Sequence, residues 1–265
     1  IQLFAIFPCL DESLKDDSGT EILNSNSLVY RVARLLKENH PEIVLIGDLA
    51  LDPYTIHGHD GILDQNKKVL NDETVEILSK AGVEAAKAGF NFVAPSDMMD
   101  GRVSIIRKNL DQSNFTETGI IAYSAKFCSS YYGPFRDAVG SSRKDRIDKS
   151  SYQLNPANAN EAKRELALDE IEGADILMIK PAEPYLDIIQ SAKLEHNLPI
   201  AAYQVSGEYS RLWAAHSFGW LDLDACSMES ILSIKRAGAD LIFTYFAERI
   251  SHQINQSTSS GAPPS

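Results

Sequence analysis

Short apolar runs recur along the chain at 3–8, 44–51, 92–97, 119–126, 176–181, 200–206 and 240–246, with stretches of helical periodicity between them. Near-continuous hydrophobicity in so short a run marks a strand buried on both faces, as in a parallel sheet crossed by helices. Leu28, Val32, Leu35 and Leu36 are expected on one helical face, as are Val75, Leu78 and Ala85. Ala162 with Leu166, and Tyr185, Ile188, Ile189 and Ala192, repeat the pattern. AKAGFNFVA at 86–94, IEGADILMI at 171–179 and KRAGADLIFT at 235–244 each run from helix end through glycine into a strand. Glycine there is the usual left-handed stop of a helix.

Strand, helix, strand at this spacing implies right-handed crossovers. Neither a Gly-x-Gly-x-x-Gly turn nor a phosphate-binding Gly-Lys loop follows a strand, so nucleotide-binding open sheets lack their signature. Polar residues instead close most of the runs: Asp48 and Asp52, Ser96 and Asp97, Lys126, Lys180, Ser206 and Tyr245. A ring of chemistry at successive strand ends is how a TIM barrel, (β/α)8, builds its site. The chain is therefore read as an α/β barrel over 1–250, with only seven of the eight strands evident. A long polar stretch at 127–160 is expected to be an active-site lid, and the Gly/Pro/Ser-rich 251–265 a disordered tail.

At 265 residues the length suits one barrel. A net charge of −12 argues against nucleic acid or an anionic membrane as partner. No run approaches the ~20 apolar residues of a membrane helix. The start, IQLFAIFP, makes a poor signal peptide. Cys9, Cys128 and Cys226 are scattered and odd in number, which points to a reducing cytoplasm and no disulfide framework.

Lys126 and Lys180 each end an apolar run, where lysine is disfavoured. Snorkelling to solvent accounts for either alone. Two on neighbouring strands suggest amines whose pKa is lowered by burial and like charge, nucleophiles suited to imine formation with a ketone. DLALDPYTIHGHDG at 48–61 reads equally as a metal site or a Gly-rich loop whose acids cap helices and pair with lysines. Arg136, Arg143, Lys144, Arg146 and Lys149 in the lid are either a solvated charge run or a grip on a substrate carboxylate. Cys128 has no histidine partner in view and reads as a packed thiol.

The motifs YSAKFCSSYYGPFRDA (123–138), LMIKPAEPYLDII (177–189), APSDMMDGR (94–102), YQVSGEY (203–209) and LDPYTIHGHDG (51–61) resemble the porphobilinogen synthase (5-aminolevulinate dehydratase) family. The resemblance implies a lyase of tetrapyrrole and heme biosynthesis that condenses two 5-aminolevulinate molecules. By that likeness Lys180 forms the imine with the substrate supplying the propionate side, and Lys126 holds the second. Ser206 and Tyr245 match the hydroxyl pair for the first carboxylate, and Arg136, Lys149 and Gln153 the lid groups for the second. Asp48 and Ser96 lie near the reacting amino group, Phe135 beside the substrate, and Asp48, Asp52 and Asp60 are candidates for proton transfer.

Zinc-dependent relatives carry cysteines where this sequence has Ala50, Asp52 and Asp60, so no active-site zinc is expected. Glu165 matches a glutamate that holds an allosteric Mg2+ largely through water. Relatives form homo-oligomers, from dimers to octamers, with an N-terminal arm. The arm and the first β/α unit are not matched here, so impaired assembly and exposed edges at 3–8 and 240–246 are expected. Two other readings stay open: a non-catalytic barrel of the same family, and a metal-dependent hydrolase using Asp52, His57, His59 and Asp60.

Overall fold

The computed structural model describes residues 1–138 and 148–260. Seven strands form one parallel sheet in sequential order: β1 Leu3–Ile6, β2 Val44–Leu49, β3 Phe92–Pro95, β4 Gly119–Lys126, β5 Ile176–Lys180, β6 Ile200–Tyr203 and β7 Leu241–Phe243. Each of the apolar runs in the sequence thus becomes a strand. Between and after them lie α1 Leu28–Asn39, α2 Asn71–Lys87, α3 Arg102–Gln112, α4 Gly133–Ala138, α5 Ala159–Ile171, α6 Leu186–Glu195, α7 Ser206–Ser217, α8 Leu223–Ala237 and α9 Ala247–Ser260.

The central strands β5 and β6 are buried along their whole length. Helices cover the outer face, with Leu78 and Ala81 of α2, Leu166 of α5, and Ile188 and Ile189 of α6 packed into one continuous core. Gly89, Gly173 and Gly238 all take positive φ at helix ends, where a side chain would be strained. Gly119 opens β4 with Phe92 so close that a Cβ would sit 2.5 Å from its ring.

The sheet is curled. β1 and β7 pair on one side only, with β2 and β6 respectively, yet Leu3 and Phe4 line one cleft together with Leu241 and Phe243. Strands at opposite ends of the order can share a cleft only if the sheet bends round as in an α/β barrel. The edge is open as the sequence implied: Leu3 is 40% and Phe4 42% exposed.

The structure departs from the sequence reading in two places. In α1 the buried face is Val29, Tyr30 and Ala33, whereas Leu28 and Leu35 are exposed. On that face the Tyr30 hydroxyl donates to the Ile22 carbonyl at 2.7 Å. The segment 251–260, expected to be disordered, instead continues α9. Phe246 and Ile250, four residues apart, pack with Leu223 of α8 and anchor the helix. Residues 261–265 lie outside the described residues.

Between β4 and α5 the described residues are 127–138 and 148–158. A short 3-10 turn, Ser130–Tyr132, leads into α4. The returning chain bridges Phe127 to Leu154, with Cys128 N donating to Leu154 O and Leu154 N to Lys126 O.

Candidate active site

Lys126 and Lys180 are the last residues of β4 and β5, and they are register partners. Paired residues of neighbouring strands project to the same face, so both amines enter the same cavity. It is walled by strand ends from around the barrel. Asp48, Asp52, Asp60, Ser96, Lys149 and Gln153 line it, as do Phe135, Ser206 and Tyr245. Of the residues that the family resemblance assigns to the site, all converge here except Glu165 and Arg136. Glu165 lies in a separate cavity. Arg136 falls in α4, but its side chain is outside the described residues, as are Arg143, Lys144 and Arg146.

Lys180 is caged by aromatic rings. Its Nζ is 4.3 Å from the centre of the Tyr203 ring, 5.1 Å from Tyr123, 5.5 Å from Tyr132 and 5.9 Å from Phe135. Burial, then the nearby Lys126 charge, push its pKa down to about 7, against the opposing pull of Asp48, Asp52 and Asp60. An amine in that range is substantially neutral and nucleophilic near neutral pH. The ring faces carry partial negative charge, which favours a cation formed at that nitrogen. Tyr123, Tyr132 and Tyr203 do not stand out as site residues in the sequence. An aromatic within or just beyond an apolar strand looks like ordinary core.

Lys126 reaches a different set of groups. Its Nζ donates to the Ser96 carbonyl and lies 3.8 Å from Asp60 Oδ1. Lys149 bridges two acids, at 3.2 Å from Asp52 Oδ2 and 3.1 Å from Asp60. Burial opposes ionisation of Asp60, yet Lys126 and Lys149 hold its pKa at about 2. Asp52 is raised by burial despite Lys149. Asp48 is pushed up to about 6 by burial and by Asp52, while a hydrogen bond with Ser96 pulls the other way. The site thus holds one acid firmly ionised and another able to exchange a proton near neutral pH.

His57 and His59 do not join Asp52 and Asp60 as a ligand set. His59 Nδ1 meets the Tyr152 hydroxyl at 3.2 Å, and His57 Nε2 meets the Asp17 carbonyl. Among the described residues no group of three or more His, Cys, Asp or Glu side chains is arranged to hold a metal ion.

The opposite wall is built from hydroxyls. Ser206 opens α7, and its Oγ accepts from Phe135 N at 3.0 Å. The Tyr203 hydroxyl bonds Tyr245. Gly207 allows this helix start to press on the turn before α4, since a Cβ there would lie 2.5 Å from the Tyr131 carbonyl oxygen.

Behind the cavity, Arg102 ties three elements together while fully buried. It bonds Asp169 of α5 at 3.1 Å, the Met99 carbonyl and the Tyr123 carbonyl. Glu165, one turn before Asp169, is half-buried and lines a neighbouring cavity with Asp100, Ser151 and Glu161. Burial, then the charges of Asp169 and Asp100, raise its pKa, with Arg102 opposing. A carboxylate in such surroundings is stabilised by an added cation.

A family model for delta-aminolevulinic acid dehydratase matches residues 1–253. The chain is 48% identical over 254 residues to the enzyme of that name from Bradyrhizobium diazoefficiens, covering 96% of this chain and 72% of that protein. It is 50% identical over 249 residues to the chloroplastic enzyme of Oryza sativa subsp. japonica, covering 94% of this chain but 58% of that one. A crystal structure of the dehydratase (porphobilinogen synthase) from Toxoplasma gondii ME49, in complex with the reaction product porphobilinogen, superposes with a TM-score of 0.96. It shares 44% identity and covers 100% of this chain and 76% of that chain. On the whole-chain family match and the high identity together, the chain belongs to the delta-aminolevulinic acid dehydratase family.

Proposed function

We propose that this chain provides the catalytic site of a lyase that condenses two 5-aminolevulinate molecules to porphobilinogen. One observation carries the reading: two lysines paired in register enter one cavity, and the one in the aromatic cage has its pKa brought down to about 7. Lys180, as the neutral amine, attacks the keto carbon of the first substrate, and loss of water leaves an iminium facing the rings. Lys126 holds the second substrate in the same way. An iminium acidifies the adjacent carbon and is a stronger electrophile than the ketone, so carbon–carbon and carbon–nitrogen bonds can form between the two. Asp48, with its pKa near 6 and its bond to Ser96, is suited to carry the protons. Ser206 and Tyr245 would take the first carboxylate, with Lys149 and Gln153 serving the second from the lid side.

Glu165 fits an allosteric Mg2+, since a half-buried carboxylate beside an open cavity that Asp100 and Glu161 also line suits an ion that keeps most of its waters. The ion would supply positive charge behind Arg102 and Asp169, outside the reacting cavity. Asp52 and Asp60 already share the Lys149 ammonium, which supports catalysis without zinc at that point. A homo-oligomer is part of the same reading, and light scattering on the purified protein tests it. The scattered unpaired thiols of Cys9, Cys128 and Cys226 support a reducing, cytoplasmic setting, which fractionation of the source cells tests. Among the described residues no helix is long and apolar enough to cross a membrane.

A second reading is a barrel of the same family that keeps both strand-end lysines and binds substrate but does not turn over. Borohydride reduction in the presence of 5-aminolevulinate, followed by peptide mapping, tests the chemistry, with Lys180 as the expected label. Folded, substrate-bound protein without that label would overturn the imine mechanism. Label without pyrrole formation in a colorimetric assay would select the second reading.

A further inference from the structure

Lys180 ends β5 just before one loop and Ser206 opens α7 just after another, and their separation must match the distance from keto carbon to carboxylate in any acid bound between them. A fully buried side chain joins those loops. Glu208, in the first turn of α7, is wholly buried, at 0% exposure. Its Oε1 accepts from Glu183 N at 2.6 Å, and its Oε2 from Val205 N at 2.6 Å and Ala182 N at 3.4 Å. Ala182 and Glu183 follow Lys180 at the end of β5, whereas Val205 immediately precedes Ser206.

Helix capping alone explains only part of this. An acid in the first turn commonly bonds the amide just before its own helix, and the bond from Val205 does that. The bonds from Ala182 and Glu183 reach across to another strand end and have no capping role in α7. Burial pushes the Glu208 pKa up to about 7, and the amide donors of Val205 and Ala182 offset only part of that cost. They also place both loops on the same pair of oxygens. A second tie runs alongside, from Gln204 Nε2 to Glu183 Oε1 at 3.1 Å, so the loops stay attached if Glu208 is altered. On the far side, Gly207 packs on the Tyr131 backbone and Ser206 Oγ accepts from Phe135 N.

We propose that Glu208 is a positioning residue which fixes the spacing of Lys180 and Ser206, and so selects the keto-to-carboxylate length of the acid the site accepts. The inference rests on the imine chemistry proposed above. It extends that chemistry to chain-length specificity through a residue that does not line the cavity.

The test uses 4-oxopentanoate, 5-oxohexanoate and methyl 4-oxopentanoate as probes, with cyanoborohydride as reductant. Lys180 Nζ adds to the keto carbon, water leaves, and hydride reduces the iminium to a stable secondary amine that mass spectrometry counts. Wild type is expected to trap 4-oxopentanoate about tenfold or more faster than 5-oxohexanoate, the scale of a one-methylene misfit. In Glu208→Gln, one acceptor oxygen becomes an NH2 facing amide donors. That preference is expected to fall about fivefold or more. Trapping of the methyl ester should stay within about twofold, because the ester lacks the anion that Ser206 orients. Its pH midpoint should not move.

Equal loss with all three probes would mark a merely structural residue and overturn the proposal. So would an unchanged length preference in folded Glu208→Gln. Should that variant fail to fold, Glu208→Asp keeps a carboxyl group but withdraws it by one methylene, and the same loss of preference is expected. No trapping by wild type would overturn the imine reading and this inference with it. Normal trapping with an unaltered preference in the variants would overturn this inference alone.

Discussion

Lys126 and Lys180 are register partners at the ends of β4 and β5, so each amine feels the other's charge inside a buried cavity. After burial, that charge is the main influence holding Lys180 down at about pH 7. Lys126→Met removes it and leaves Asp48, Asp52 and Asp60 to favour the protonated form. The pH midpoint for reductive trapping of 4-oxopentanoate at Lys180 should therefore move upward. At pH 6.5 the rate should fall severalfold, since raising the midpoint by one pH unit leaves about tenfold less neutral amine. An unmoved midpoint would mean that the two charges do not communicate.

The same burial makes Lys180 a liability for stability. A lysine in the unfolded chain titrates near the reference value of 10.5, and the folded one near 7. Below pH 7 both states are protonated and the fold bears the full penalty of burying the charge. Above about pH 10.5 both are neutral and the penalty is gone. Lys180→Met also suits a cage of tyrosine rings. The variant should gain on the order of a few kcal/mol at pH 6 and progressively less as pH rises from 7 towards 10. Thermal melts of both proteins across that range check it, and a gain that grows with pH would reverse the assignment.

Much of this site is legible in the sequence because a parallel strand buried on both faces has no structural use for a terminal lysine or aspartate. Lys126, Lys180 and Asp48 stand out against that background, and the cavity gathers them. The aromatic cage does not stand out, because Tyr123 and Tyr203 satisfy the same burial that makes a strand. Glu208 reads in sequence as any first-turn acid, and only its bonds to Ala182 and Glu183 set it apart. The inward face of α1 is not legible either, because Leu28 and Leu35 are as apolar as Val29 and Ala33. The hydroxyl of Tyr30, bonded to the Ile22 carbonyl, lies on the inward face with Val29 and Ala33.

Glu165 faces acidic neighbours without entering the reacting cavity, so an ion there should act at a distance. Mg2+ is expected to raise the melting temperature of wild type, and a chelator to remove the gain. Glu165→Ala should show no Mg2+-dependent shift, while trapping at Lys180 stays within about twofold of wild type, as for a site without shared contacts. A full Mg2+ shift in the variant would place the ion elsewhere.

Lys149 stands between Asp52 and Asp60 as their shared counter-charge, and its removal should be felt most when both acids are ionised. In wild type the depressed pKa of Asp60, about 2, contributes stability that is complete above the unfolded value of 3.8 and lost as pH falls through 2. Lys149→Met leaves two buried carboxylates facing each other with Lys126 as the remaining cation beside Asp60. Asp60 must then rise, and the variant should lose about 3 kcal/mol at pH 8, the scale of a broken buried pair. Lowering the pH lets one acid take up a proton, so the gap from wild type should narrow by pH 5. Lys149→Arg, which keeps the charge, should recover most of the loss at pH 8. A pH-independent deficit, shared equally by the arginine variant, would show that Lys149 matters for packing and not as the counter-charge of these acids.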